Sequence, residues 1–147
     1  LILYLDTSAW VKLYVEEVGS DLVRDGVRDS DDIASHLIAY VELRSALARK
    51  REQSPELDSR YAHVLEAALD DWKRIHHLPV DEAFVFRAAE LAEHELLRGY
   101  DAVHLAAADR LRAATAAPVI FASFDHALNE AARRLGFETL GSASHSE

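Results

Sequence analysis

An α/β fold built on a central parallel sheet is the architecture this chain predicts, and two observations predict it. Leu1-Ile2-Leu3-Tyr4-Leu5 and Val119-Ile120-Phe121-Ala122 are short unbroken apolar runs, the pattern of strands buried on both faces. The segments between them carry apolar residues at spacings of three and four, the pattern of helices with one buried face. Strands alternating with helices imply a sheet covered on both sides, here a three-layer α/β/α arrangement with about four or five strands.

Each element follows from its own residues. After the first strand, Asp6-Thr7-Ser8-Ala9-Trp10 begins a helix carrying Val11, Leu13, Tyr14 and Val15, and Glu16 to Asp21 breaks it before a second helix near Leu22 to Arg28. Ile33-Ala34-Ser35 reads as a strand. The helix from Ile38 holds Glu42 and runs to about Arg51. Pro55 suits the first turn of a long helix with Leu57, Tyr61, Val64, Leu65, Ala68 and Leu69 on one face. Ile75 to Val80 is a weaker strand, and Asp81 caps a helix through Phe84, Ala88, Leu91 and Ala92. Gly99 breaks the chain before a helix opened by Asp101, and Pro118 precedes the strong late strand. Gly136 ends the helix with Leu128, Ala131, Ala132 and Leu135, and Phe137 to Leu140 reads as a short edge strand. Residues 1–141 are expected to form one domain and residues 142–147 a flexible tail.

Composition narrows the function. The 147 residues contain no cysteine, which excludes disulfides, thiolate nucleophiles and cysteine-based zinc sites. No apolar run approaches membrane-spanning length, and the chain is expected to be cytoplasmic. The 16 Lys and Arg against 26 Asp and Glu leave a formal charge of −10, so nucleic acid is not held here by bulk electrostatics. Any attraction for it must be local, from Lys12, the Arg44/Arg49-Lys50-Arg51 cluster, Lys73-Arg74, Arg110/Arg112 or Arg133-Arg134. An acidic surface also suits a basic protein partner.

Four carboxylates carry the chemistry: Asp6, Glu42, Asp101 and Asp125. Asp6 closes the first strand and Asp125 follows the late one by two residues, so both belong at carboxyl ends of strands, where open α/β sheets place their ligands. Asp101 lies in a first helical turn, and Glu42 stands beside an apolar helical stripe where an unpaired charge is costly. A hard divalent cation held by carboxylate oxygens would pair with all four. Taken singly, each has a plainer reading: Asp101 as a helix N-cap, Asp6 and Asp125 as turn or capping acids, Glu42 as a salt-bridge partner of Arg44 or Arg49. Their coincidence favours the metal. Phosphodiester hydrolysis needs an activated water and positive charge opposite the phosphate, and Mg²⁺ or Mn²⁺ supplies both. Other chemistries lack their marks, since there is no Gly-x-Gly-x-x-Gly, no phosphate-binding Gly-rich Lys-Ser/Thr loop and no Gly-x-Ser-x-Gly.

Four motifs, Tyr4 to Tyr14, Tyr40 to Arg49, Arg98 to Ala108 and Phe121 to Ala132, together resemble PIN-domain ribonucleases, most closely the VapC toxins of bacterial toxin–antitoxin pairs. The resemblance covers nearly the whole chain in the right order. It implies a PIN-like fold, an acidic quartet of Asp6, Glu42, Asp101 and Asp125 binding Mg²⁺ or Mn²⁺, and RNA as substrate. Thr7 and Ser8 would order the first loop or a water, and Ser123 stands where the family commonly carries a hydroxyl; Ser8 reads equally as a helix N-cap. His104, one turn after Asp101, would orient it or be a buried, hydrogen-bonded core residue. The resemblance further implies a homodimer and a cognate VapB-type antitoxin, joined in a heterotetramer or larger assembly.

Two rivals remain at this level. A catalytically idle PIN-like scaffold has no evident need of four clustered acids. A flap-type DNA nuclease would carry large insertions for threading DNA, which are absent.

Overall fold

The computed structural model of the chain describes residues 1–141, and the predicted tail at 142–147 lies outside the described residues. Five strands, β1 (Ile2–Leu5), β2 (Asp32–His36), β3 (His76–Leu78), β4 (Val119–Ala122) and β5 (Glu138–Thr139), form one sheet in the order β3-β2-β1-β4-β5. Every pairing is parallel, with Leu5 opposite Ala122 and Tyr4 opposite both Ala34 and Phe121. The chain winds outward from β1 to β3 and then crosses back to lay β4 against the other side of β1. That reversal opens a crevice beyond the carboxyl ends of β1 and β4.

Alternation along β1 splits the core. Tyr4 points into a cluster with Phe121 of β4 and with Phe84, Leu91, Leu105 and Leu128, contributed by α6 (Glu82–Glu95), α7 (Gly99–Ala114) and α8 (His126–Arg134). Leu3 and Leu5 face the opposite cluster with Trp10, Val23, Leu43, Leu47 and Val64. Its helices are α1 (Thr7–Trp10), α2 (Ser20–Asp29), α3 (Ala39–Glu52), α4 (Pro55–Ser59) and α5 (Tyr61–Arg74). The three layers expected from sequence are present.

Capping explains several boundaries. Ser54 accepts from the Leu57 amide with Pro55 in the first turn, and Asp81 accepts from the Phe84 amide at 2.9 Å. α8 ends in a Schellman motif: Gly136, at φ 88°, donates to Arg133 and Phe137 donates to Ala132.

Three expectations are corrected. The first helix is a single α turn followed by a 3₁₀ turn at Val11–Leu13, and does not continue to Val15. The long helix after Pro55 is two helices. Arg60 leaves helical geometry at φ −114° and ψ 14°, where its guanidinium donates to the Tyr14 carbonyl and the Ser59 hydroxyl bonds back to Glu56 O. Gly99 starts α7 rather than breaking the chain ahead of it, with Arg98 at the cap position and Asp101 inside the first turn.

Candidate active site

The crevice predicted by the topology is a cavity of about 770 Å³ lined by Thr7, Ser8, Glu42, Arg98, Asp101 and Phe124, with Lys12, Glu17, Arg49 and Lys50 among its further walls. Helical spacing brings these together. Glu42, Ala46 and Lys50 recur every fourth residue on one face of α3, and Ser8 lies one turn before Lys12.

Asp6 lies beneath the cavity, 3 % exposed, because β1 delivers it to the sheet edge and α1 starts immediately after. Its amide donates to Ala122 O, tying it to β4. Its Oδ1 accepts from the Ala9 amide at 2.9 Å and the Ser8 hydroxyl at 2.7 Å, so Asp6 rather than Ser8 is the N-cap. Burial pushes the Asp6 carboxyl up, opposed by His104, the hydroxyls of Ser123 and Ser8, and the Ala9 amide. Ser8 also accepts from the Phe124 amide, and Ser123 from the Asp125 amide, so hydroxyls join the ends of β1 and β4.

Glu42 is held by two histidines. His36 Nε2 lies 3.1 Å and His104 Nε2 3.2 Å from its Oε1. Burial opposes the Glu42 charge, but hydrogen bonds from His104 and His36 outweigh it and bring the carboxyl down to about 2. The Ile38 amide donates to His36 Nδ1, which leaves the ring proton on Nε2, directed at Glu42. His104 sits at Nδ1 against the Tyr4 hydroxyl, 2.9 Å away, and near Thr7 Oγ1 through Nε2. Of the two readings of His104, the buried and hydrogen-bonded one holds, and the acid it orients is Glu42. His36 was missed by sequence reasoning; its signal is a histidine ending a strand six residues before an acid on the next helix.

Asp101 and Asp125 are half-buried and share one cation. Arg98 Nε lies 3.2 Å from Asp101 Oδ2, and Arg98 NH2 3.2 Å from Asp125 Oδ2. Asp125 also caps α8 through the Leu128 amide at 2.8 Å. Of the basic groups considered from sequence, Lys12, Arg49 and Lys50 reach the cavity, while Arg110, Arg112, Arg133 and Arg134 pair with Asp81, Asp109, Glu130 and Glu95 elsewhere.

The donor set suits a hard cation. Asp6 and Glu42 have no lysine or arginine ion-pair partner among the described residues, and Asp101 offers a further carboxylate in the same cavity wall. Among the described residues, the three groups whose ligand atoms already lie within 4.8 Å of one another are His36, Glu42 and His104. Because His36 presents a proton there and not a lone pair, this trio serves as a support for Glu42 rather than as a metal cage.

The PIN domain family profile matches residues 3–134 of this chain. Ribonuclease VapC47 of Mycobacterium tuberculosis (strain CDC 1551 / Oshkosh) is 32% identical over 142 residues, covering 94% of this chain and 95% of that protein. This chain belongs to the PIN domain family, among the VapC ribonucleases. Ribonuclease VapC45 of the same strain is 35% identical over 107 residues, 73% of this chain and 74% of that protein. Among solved structures, FitAB bound to the IR36 DNA fragment aligns with a TM-score of 0.65 at 16% identity, over 95% of this chain and 93% of that chain. FitAcB from Neisseria gonorrhoeae aligns at 0.63 and 18% identity over 95% and 96% of the two chains. The five-stranded parallel sheet with helices on both faces is therefore the PIN fold, and the cavity at its switch point is lined by Glu17, Glu42 and Asp101.

Proposed function

We propose that this chain is the toxin of a VapBC-type pair, a metal-dependent endoribonuclease that hydrolyses RNA phosphodiester bonds in the cavity beyond β1 and β4. The observation that carries the reading is that Glu42 and Asp101 line one cavity beside buried Asp6, together with Thr7 and Ser8. Asp6, Glu42, Asp101 and Asp125 would hold Mg²⁺ or Mn²⁺, which when bound supplies an acidified water and positive charge opposite the phosphate. The chain's own contribution is orientation. Ser8 and the Ala9 amide aim Asp6, the two histidines keep Glu42 ionised and fixed, and the Leu128 amide holds Asp125. Thr7 and Ser8 order the first loop, and Ser123 steadies the approach to Asp125.

The partners follow from the same cavity. Val41, Tyr100 and Phe124 are exposed apolar residues on its walls, suited to a peptide segment of a cognate antitoxin, and the acids below suit a basic side chain on that segment. A homodimer, a larger assembly with antitoxin and a cytoplasmic location complete the reading; no helix among the described residues is long and apolar enough to cross a membrane. Cleavage of cellular RNA tests the activity. EDTA should abolish it, Mg²⁺ or Mn²⁺ should restore it, Ca²⁺ should not, and Asp6→Asn should be inactive. Cleavage that persists in EDTA would overturn the reading.

A further inference from the structure

The cavity has a second, cationic end. Glu17, on the turn between the 3₁₀ segment and α2, bridges two lysines that are far apart in sequence: its Oε1 lies 3.0 Å from Lys12 Nζ and its Oε2 2.9 Å from Lys50 Nζ. One anion thus presents each of its two oxygens to a different ammonium. A phosphodiester offers the same pattern, two non-bridging oxygens sharing one negative charge, and ammonium groups bind phosphate well as point charges.

The surroundings fit exchange of one anion for another. Lys12 has only 11 % of its side chain exposed, with its ammonium 4.5 Å from the centre of the Phe124 ring, so its charge is directed into the cavity rather than into solvent. Glu17 keeps 28 % of its side chain exposed and can swing outward. Its backbone would stay in place, because the buried Ser20 hydroxyl accepts from the Glu17 amide and donates to Val15 O, each at 3.0 Å. Lys50 lies two turns along α3 from Glu42, about 12 Å of helix axis, so a strand laid along that face would meet the acids first and the lysines next. A chain of net charge −10 needs such a local attraction if a polyanion is to approach four carboxylates at all.

We propose that Lys12 and Lys50 form a phosphate subsite for a nucleotide neighbouring the scissile bond, and that Glu17 occupies it as an internal stand-in when no RNA is bound. The inference rests on the ribonuclease reading. The carboxylate balances two part-buried ammonium groups in the free protein, and RNA takes its place on binding.

Fluorescence anisotropy with a fluorescein-labelled single-stranded RNA of random sequence tests it, in proteins that all carry Asp6→Asn so that nothing is cut. Lys12→Met and Lys50→Met, which keep the apolar stems, should each weaken binding about tenfold at low salt. Each should also lower the slope of log affinity against log salt by about 0.7. Lys12→Arg and Lys50→Arg should largely retain binding. Glu17→Gln should tighten it roughly threefold, since no ion pair has to be broken. Methionine variants with an unchanged salt slope, Glu17→Gln that weakens binding, or no measurable binding by the reference protein would each overturn the subsite. The ribonuclease reading is judged apart from this: if wild-type Asp6 protein cuts RNA and its Lys12→Met and Lys50→Met variants cut with unchanged KM, the subsite fails and the activity stands.

Discussion

His36 donates its Nε2 proton to Oε1 of Glu42 across 3.1 Å, and the Ile38 amide, donating to Nδ1, fixes which ring nitrogen carries that proton. A fully buried imidazole is thereby a donor with one permitted tautomer, and Glu42 gains an orientation that no residue on its own helix provides.

His36→Leu should therefore leave the fold in place, weaken Mn²⁺ binding and lower RNA cleavage by roughly ten- to a hundredfold, the usual cost of losing a group that orients a ligand. His36→Gln, which keeps a donor near the Nε2 position, should recover part of both. Calorimetric Mn²⁺ titration separates this role from simple packing: wild-type affinity in the leucine variant would refute it.

Asp6 and Glu42 should respond in opposite directions when neutralised in metal-free buffer. Burial raises the Asp6 pKa above its ordinary value, so its charge destabilises the fold at neutral pH, and that cost is relieved as pH falls through the folded-state pKa. Asp6→Asn removes the cost and keeps the cap, because Asn caps as well as Asp, and its melting temperature should rise. Glu42 is instead held down at about 2, so its stabilisation is present above the ordinary value of 4.5 and is lost as pH falls towards 2. Glu42→Gln should cost about 1–3 kcal/mol at neutral pH, with the gap to wild type closing below pH 4.5. Thermal melts across pH decide the matter, and equal shifts for the two variants would contradict it.

What was legible in the sequence is what local pattern controls. The unbroken apolar runs gave β1 and β4, and position at a strand end gave Asp6 and Asp125 their places at the crevice. The break at Arg60 was hidden because Leu57, Tyr61 and Val64 keep helical spacing across it, while the bond that bends the chain reaches Tyr14, 46 residues earlier. Asp101 was rightly read into a first helical turn, but the start of α7 was set two residues late: Arg98-Gly99-Tyr100 reads as a break, yet Gly99 takes the first helical position, where even an added Cβ would meet nothing within 4 Å. Glu17 was overlooked since one of its two partners, Lys50, is supplied by tertiary structure from α3, and His36 was overlooked although Glu42 lies only six residues on, because a strand end and the next helix must fold together before they meet.

Arg98 offers a further contrast, because it neutralises Asp101 and Asp125 from solvent, with 82 % of its side chain exposed. Exposed pairs of this kind add little to stability, so Arg98→Ala should change unfolding free energy by less than about 0.5 kcal/mol. Removing the competing cation should tighten Mn²⁺ binding severalfold at low ionic strength. Weaker Mn²⁺ binding would mean instead that the guanidinium organises the carboxylates for the ion.

Gly19→Ala should be the most damaging single-methyl change near the cavity. Gly19 has φ 95°, and an added Cβ would stand 2.5 Å from Phe124 Cε1 and 2.8 Å from Cζ. Backbone strain and overpacking act together, for a cost of about 2 kcal/mol or more. The effect should reach the chemistry, since the Phe124 amide donates to Ser8, whose hydroxyl donates to Asp6. Displacing Phe124 would loosen that chain of hydrogen bonds and lower cleavage beyond what the lost stability explains at a temperature where the variant is folded. Gly99→Ala is the control: its Cβ would meet nothing within 4 Å, so a neutral or slightly stabilising effect is expected from alanine's higher helix propensity. Equal melting temperatures for Gly19→Ala and wild type would show that the loop before α2 yields freely and that Phe124 is not pinned by it.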